Sequence, residues 1–146
     1  MRYALLVGAL LLGASNMASA QGMEIHNRFG PSGTHFQLPA QSPSFLYEAT
    51  ICGGGTQGYK IQLDVYHNGV LKSSSTEIVA IPPTEYQYSS HVNMSLWGLL
   101  PGDCLTFTCK VSRLSDGAVL AVDHLFGDLF VPLPDPLPLP VPSPIW

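Results

Sequence analysis

Charge is scarce in this chain: only 11% of its 146 residues are Asp, Glu, Lys or Arg. A polymer kept unfolded by charge needs the opposite balance, so a disordered acidic or basic tail is excluded. Six basic side chains against ten acidic ones cannot neutralise a row of phosphates, which excludes a sequence-independent nucleic-acid binder. The apolar run Tyr3 to Ala14 is too short to span a bilayer as a helix and no other segment is long and apolar enough, so no membrane span is expected. No stretch has a helical apolar period, and there are no internal repeats.

Catalytic and cofactor motifs are also missing. Gly53-Gly54-Gly55-Thr56-Gln57-Gly58-Tyr59-Lys60 has tyrosine where a phosphate loop needs lysine, and a strand rather than a helix follows. Gly30-Pro31-Ser32-Gly33 has the wrong spacing for a nucleophile elbow. The histidines at 26, 35, 67, 91 and 124 fall in separate segments, none at ligand spacing with another His or Cys. Asp123 and His124 are an adjacent acid and base, but neighbours on a strand face opposite ways. The ten acidic residues are too scattered for a calcium site. The expectation is a protein without metal or other cofactor that is not an enzyme.

What is present is apolar and turn-rich: 46% hydrophobic, 10% aromatic, 14 glycines and 13 prolines. Arg2, the apolar run Tyr3 to Ala14 and the small-x-small triplet Ala18-Ser19-Ala20 read as a secretory signal over residues 1–20. Gln21 is then the first mature residue, and localisation is extracellular, where disulfides persist. Residues 132–146 hold seven prolines in fifteen positions. Such a segment can join neither sheet nor helix and reads as polyproline II, serving as a stiff spacer or as a ligand for an aromatic-lined groove.

The domain is residues 21–131. Tyr59 to Tyr66 alternates with period two, and His67-Asn68-Gly69 follows as a tight hairpin before Val70-Leu71. Glu77 to Ile81, Tyr86 to Trp97 (Val92, Met94 and Leu96 on one face), Leu105 to Val111 and Val119 to Phe130 are further strands. Phe45 to Ile51 and Met23 to Phe29 are weaker ones. About seven short strands in this length predict an all-β antiparallel sandwich.

Met94, Leu96, Leu99, Asp103, Leu105, Phe107, Cys109 and Val111 resemble the closing motif of an immunoglobulin-like domain. Leu63-Asp64-Val65-Tyr66-His67-Asn68-Gly69-Val70-Leu71 is similar to the family strand that carries the core tryptophan and ends in a turn. Val65 stands at the usual tryptophan, Phe107 at the usual tyrosine, and Cys52 is out of phase with Tyr47, Ala49 and Ile51. Leu99-x-Pro101-Gly102 before an alternating strand also occurs in fibronectin type III-like sandwiches, the close alternative.

The resemblance implies an inter-sheet disulfide, Cys52–Cys109. Cys104 and Cys109, five apart on a strand, would lie about 16 Å apart, too far to pair. Closing the longer loop would contribute roughly 4 kcal/mol. Cys104 is left over, either as an inert buried thiol or as an intermolecular bridge that makes a disulfide-linked dimer. Asn93-Met94-Ser95 is a glycosylation sequon.

By that resemblance the chain is a secreted single-domain recognition or adhesion protein that binds another macromolecule, most simply an extracellular protein. Lys60, Gln62, Asp64 and Tyr66 would line the contact face beside Thr106, Thr108 and Lys110, with Tyr66 as anchor. The competing expectation is a structural subunit of a matrix, coat or fibre, assembled through Cys104 and the proline-rich tail.

Overall fold

A computed structural model describes residues 22–53 and 57–133. The signal peptide expected at 1–20, and all of the proline-rich tail beyond Leu133, lie outside the described residues. Eight strands and no helix occur among those described. They are β1 (Glu24–Asn27), β2 (Thr34–Pro39), β3 (Ser44–Cys52), β4 (Tyr59–His67), β5 (Val70–Val79), β6 (Glu85–Asn93), β7 (Cys104–Arg113) and β8 (Val119–Phe130).

Two sheets face each other, one ordered β1-β3-β6 and the other β2-β8-β7-β4-β5. All pairings are antiparallel except β2 with β8, which run parallel. The fold is an all-β sandwich. The alternation in β4 sends Tyr59, Ile61, Leu63 and Val65 inward and the intervening side chains outward. Leu105, Phe107, Cys109 and Val111 do the same on β7, in register with β4. Asn68, at φ 49°, and Gly69, at φ 83°, close the β4–β5 hairpin, a left-handed pair that asparagine and glycine adopt at least cost.

An aromatic cluster fills the centre. Phe107 packs against Phe45 with ring centroids 4.7 Å apart, and Phe36 and Tyr47 lie 6.2 and 6.3 Å from Phe107. Phe107 is fully buried here, as are Val65, Tyr47 and Tyr59.

Three strand expectations are corrected. Thr34–Pro39 is an eighth strand, a short edge segment whose partner, β8, lies some ninety residues on. Val70–Val79 is one continuous strand rather than two pieces, because each of its serines finds a ladder place opposite β4. The strand expected to run to Trp97 stops at Asn93. Met94 is still buried, but Leu96 is 95% exposed, because the Trp97 amide turns back to the Met94 carbonyl at 3.1 Å.

The expected Cys52–Cys109 bridge is also corrected: all three cysteines are free. Tyr47, Ala49 and Ile51 take the inward positions of β3, so strand parity turns Cys52 outward, in the row Glu24–Cys52–Glu85. Cys109 faces the other way, into the core. The sheets are joined instead by a polar knot. Asp123 of β8 is 1% exposed and accepts the Tyr47 hydroxyl of β3 at 2.8 Å. It also accepts both contacts of the Asn27 amide of β1, at 2.9 and 3.1 Å. The Asn27 side-chain oxygen Oδ1 in turn accepts the Phe29 and Gly30 backbone amides at 2.8 and 3.0 Å, fixing the turn by which the chain leaves one sheet for the other. A buried carboxylate is stable only when its acceptor capacity is filled, and here three donor contacts fill it.

Candidate recognition face

The outer side of the five-stranded sheet collects the residues that alternation assigns to it. Lys60, Gln62, Asp64 and Tyr66 of β4 stand outward and partly exposed, as do Thr106, Thr108 and Lys110 of β7. Register brings them side by side: Tyr66 opposite Thr106, Asp64 opposite Thr108, Gln62 opposite Lys110. All seven residues expected from the sequence to share this face do share it.

The ladders reveal an arrangement that single strands could not. One transverse row crosses all five strands: Leu71, Tyr66, Thr106, Phe126, His35. His35 stacks on Phe126 with centroids 4.8 Å apart and is held by Asp128 at 3.0 Å. A bulge at Val65/Tyr66 brings Leu71 beside Tyr66, so the row gains a half-exposed leucine at its end.

The next row is polar and largely tied down. Asp64 accepts the Ser74 hydroxyl at 2.6 Å and the Gln62 amide at 3.1 Å, while Thr108 and His124 are hydrogen-bonded at 3.2 Å. Lys60 and Lys110 make no ion pair among the described residues. The face therefore combines a row holding Leu71, Tyr66 and Phe126, a hydrogen-bonded polar border, and two lysines without carboxylate partners among the described residues, opposite which stand the exposed Ile78 and Val122.

Phe126, His35 and Leu71 were not legible as members. Phe126 could have been found from β8 alone, since it shares the outward parity of His124. His35 needed the unforeseen edge strand, and Leu71 needed the bulge.

The other assigned residues lie elsewhere. Cys109 is fully buried opposite Asp123 on the ladder. Burial pushes its thiol up to about 12, so it is protonated and unreactive at neutral pH. Burial and the neighbouring Glu85 and Glu24 raise Cys52 as well. Cys104 sits half-buried at the start of β7, its thiol directed to the Leu105 carbonyl and raised by burial and by Asp128. Asn93 is exposed at the end of β6 on the other sheet, and its side-chain oxygen accepts the Ser95 hydroxyl at 2.8 Å. Asp123 and His124 point to opposite sides of β8, one into the core and one into solvent. No group of three His, Cys, Asp or Glu side chains is placed to hold a metal among the described residues.

At one end of the sandwich a second carboxylate ties the loops. Asp103 accepts His67 at 2.7 Å and the Leu100 amide at 3.0 Å, linking the β4–β5 hairpin to the corner before β7. The His67 bond first, then Asn68 and the Leu100 amide, hold its carboxyl down at about 2.

No protein-family model matches the chain, and no curated protein matches it. Among solved structures, the chain is similar to the apo form of the Calx CBD1 domain, at 10% identity and a TM-score of 0.42, covering 73% of this chain and 96% of that one. It is also similar to a calcium-binding mutant of Bacteroides uniformis beta-glucuronidase 2, at 12% identity and a TM-score of 0.41, covering 72% of this chain. The chain spans 13% of that enzyme's length. The strands and sheets described above define the class as a β-sandwich domain.

Proposed function

We propose that the protein is a secreted immunoglobulin-like recognition domain that binds an extracellular protein through the outer face of its five-stranded sheet. The observation that carries this reading is the row Leu71–Tyr66–Thr106–Phe126–His35, which sets two aromatic rings and a leucine in one line across the face. Tyrosine and phenylalanine bring large contact area at little entropic cost, and a bordering set of fixed polar groups supplies register. The strand order supports the family reading: β5 extends the β8-β7-β4 trio as the extra strand extends a variable-type sheet, and β1-β3-β6 form the opposing layer.

Binding rather than catalysis is supported by the separation of Asp123 from His124. A glycan on Asn93 would sit on the three-stranded sheet, at the end of the β3–β6 ladder, and leave the five-stranded face open. The reading as an assembled structural subunit draws support from Cys104, which is partly exposed beside Asp128 in the adjoining row. A reducible dimer on gels, lost in Cys104→Ser, would favour assembly; a monomer with and without reductant favours recognition. The direct experiment is capture of partners from extracellular fluid by the wild type and by Tyr66→Ala/Phe126→Ala. A protein retained by the first and lost by the second supports the proposal, and equal retention refutes it.

A further inference from the structure

β5 is an outermost strand of the five-stranded sheet, paired with β4 on one side and with no described strand on the other. It runs for ten residues without proline or glycine, and its free side presents a row of backbone N–H and C=O groups. Val70, Leu71 and Ile78 on it are 58%, 51% and 63% exposed. Lys72 is exposed and Glu77, at an inward position opposite Ile61, is half-buried. Neither makes an ion pair among the described residues. Read from its two ends the strand answers itself: Val-Leu-Lys-Ser-Ser from Val70, and Val-Ile-Glu-Thr-Ser backwards from Val79. In a regular strand those matches would fall on opposite faces, since they differ by one in parity. The bulge repairs this. Ser73 stands opposite Val65 and Leu71 opposite Tyr66, so Lys72 is the extra residue. Leu71 therefore shares the outer side with Ile78, which stands opposite Lys60, and Val70 shares the parity of Val79.

We infer that β5 pairs antiparallel with β5 of a second copy about a two-fold axis at Ser75, joining two five-stranded sheets edge to edge. Such an interface is isologous, so every contact occurs twice. Leu71 of each copy meets Ile78 of the other on the outer side, and Val70 meets Val79. Between these ends Ser73 faces Glu77 and Ser74 faces Thr76. Lys72 falls at the step between the other copy's Ile78 and Glu77, where its ammonium can reach the carboxylate that lacks a cation in the single chain. A lysine and a bulge usually discourage edge pairing. Here each is matched across the axis. A slip of two residues would set Leu71 opposite Thr76, or Ile78 opposite Ser74, and a slip of one would reverse the faces. The contact contains no covalent bond and uses neither Cys104 nor Tyr66 and Phe126, so it stands independently of the recognition reading. An interface of one strand against another is small, and the association is expected to be weak and reversible.

Sedimentation velocity of the full chain in reductant, from micromolar to millimolar protein, should show a reversible monomer–dimer equilibrium. Leu71→Lys/Ile78→Lys sets like charges opposite each other at both ends and should be monomeric throughout, as should Leu71→Glu/Ile78→Glu. Mixed in equal amounts, the two variants should recover a one-to-one dimer, because each lysine then meets a glutamate. Both positions are exposed, so the changes leave the sheets intact, which circular dichroism verifies. A wild type that stays monomeric to millimolar overturns the inference. So do variants that dimerise separately, and a mixture that does not dimerise. The register has its own readout in a mixture of isotope-labelled and unlabelled chains. Leu71 and Ile78 of one chain are roughly 20 Å apart along the strand, so a methyl–methyl Overhauser contact between them arises only across the axis. A wild-type dimer without that contact contradicts edge pairing and assigns association to another surface.

Discussion

The two sides of the five-stranded sheet are inversions of each other. Its inner side is apolar with one polar knot, Asp123 held by Tyr47 and Asn27. Its outer side is mostly polar, with Leu71, Tyr66 and Phe126 in one row and the exposed Ile78 and Val122 opposite its two lysines. On the inner side the minority residues join the two sheets, and on the outer side the proposed function gives them the recognition role. Apolar packing alone would let two sheets slide over one another, and the knot fixes where they meet. A polar outer surface alone is hydrated and indifferent to partners, and under the proposed function the row is what a partner would bury. The outer side of the three-stranded sheet has no such row. Its Glu24 pairs with His26 at 2.7 Å, Arg28 with Glu48, and Thr50 with Gln87 at 3.0 Å, so its polar groups answer one another.

The contrast can be broken from the inside first. Asp123→Ala leaves the Tyr47 hydroxyl and the Asn27 amide buried without their acceptor, and should cost about 3 kcal/mol in urea unfolding while leaving the outer row unchanged. A loss within experimental error would show that the knot is incidental. On the outer side, Tyr66→Ala or Phe126→Ala should weaken partner binding by about 2 kcal/mol, roughly thirtyfold in Kd, with unchanged thermal stability. Thr50→Ala on the opposite sheet should leave Kd unaltered, and titration calorimetry on the three variants distinguishes the faces. Tyr47→Phe is a gentler cut into the knot, since Asp123 keeps Asn27; about 1 kcal/mol of stability should go.

The smallest effect concerns the Asp103 tie at the end of the sandwich. The Asp103 carboxyl is held at about 2, below its ordinary 3.8, so its contribution is complete above the unfolded value and is lost as pH falls through the folded one. The stability difference between wild type and Asp103→Asn should therefore be level above pH 5 and shrink between about pH 4 and pH 2. A difference independent of pH would mean that the carboxylate charge plays no part.

Alternation alone made the inner and outer sides of β4 and β7 readable, and Asn68-Gly69 marked the hairpin. The outward placement of Tyr66 was legible but its row was not, because a row is a property of register between strands. The inter-sheet joint was misread for a related reason. Cysteine pairing offers a familiar signal, whereas Asn27 and Asp123 are 96 positions apart and announce nothing locally. One clue was present: Asp123 holds the same parity as Leu125 and Leu129, and a carboxylate at an inward position must find donors in the core. Cys52, out of phase with its own strand, was the complementary clue that it could not reach inward.

Covalent footprinting of side chains in the free protein and in the complex with its captured partner tests the recognition face most directly. Protection should fall on Tyr66, Phe126, Lys60 and Lys110, with His26, Arg28 and Glu48 labelled equally in both states. Protection of the latter three with Tyr66 and Phe126 still open would place the contact on the other sheet and contradict the account.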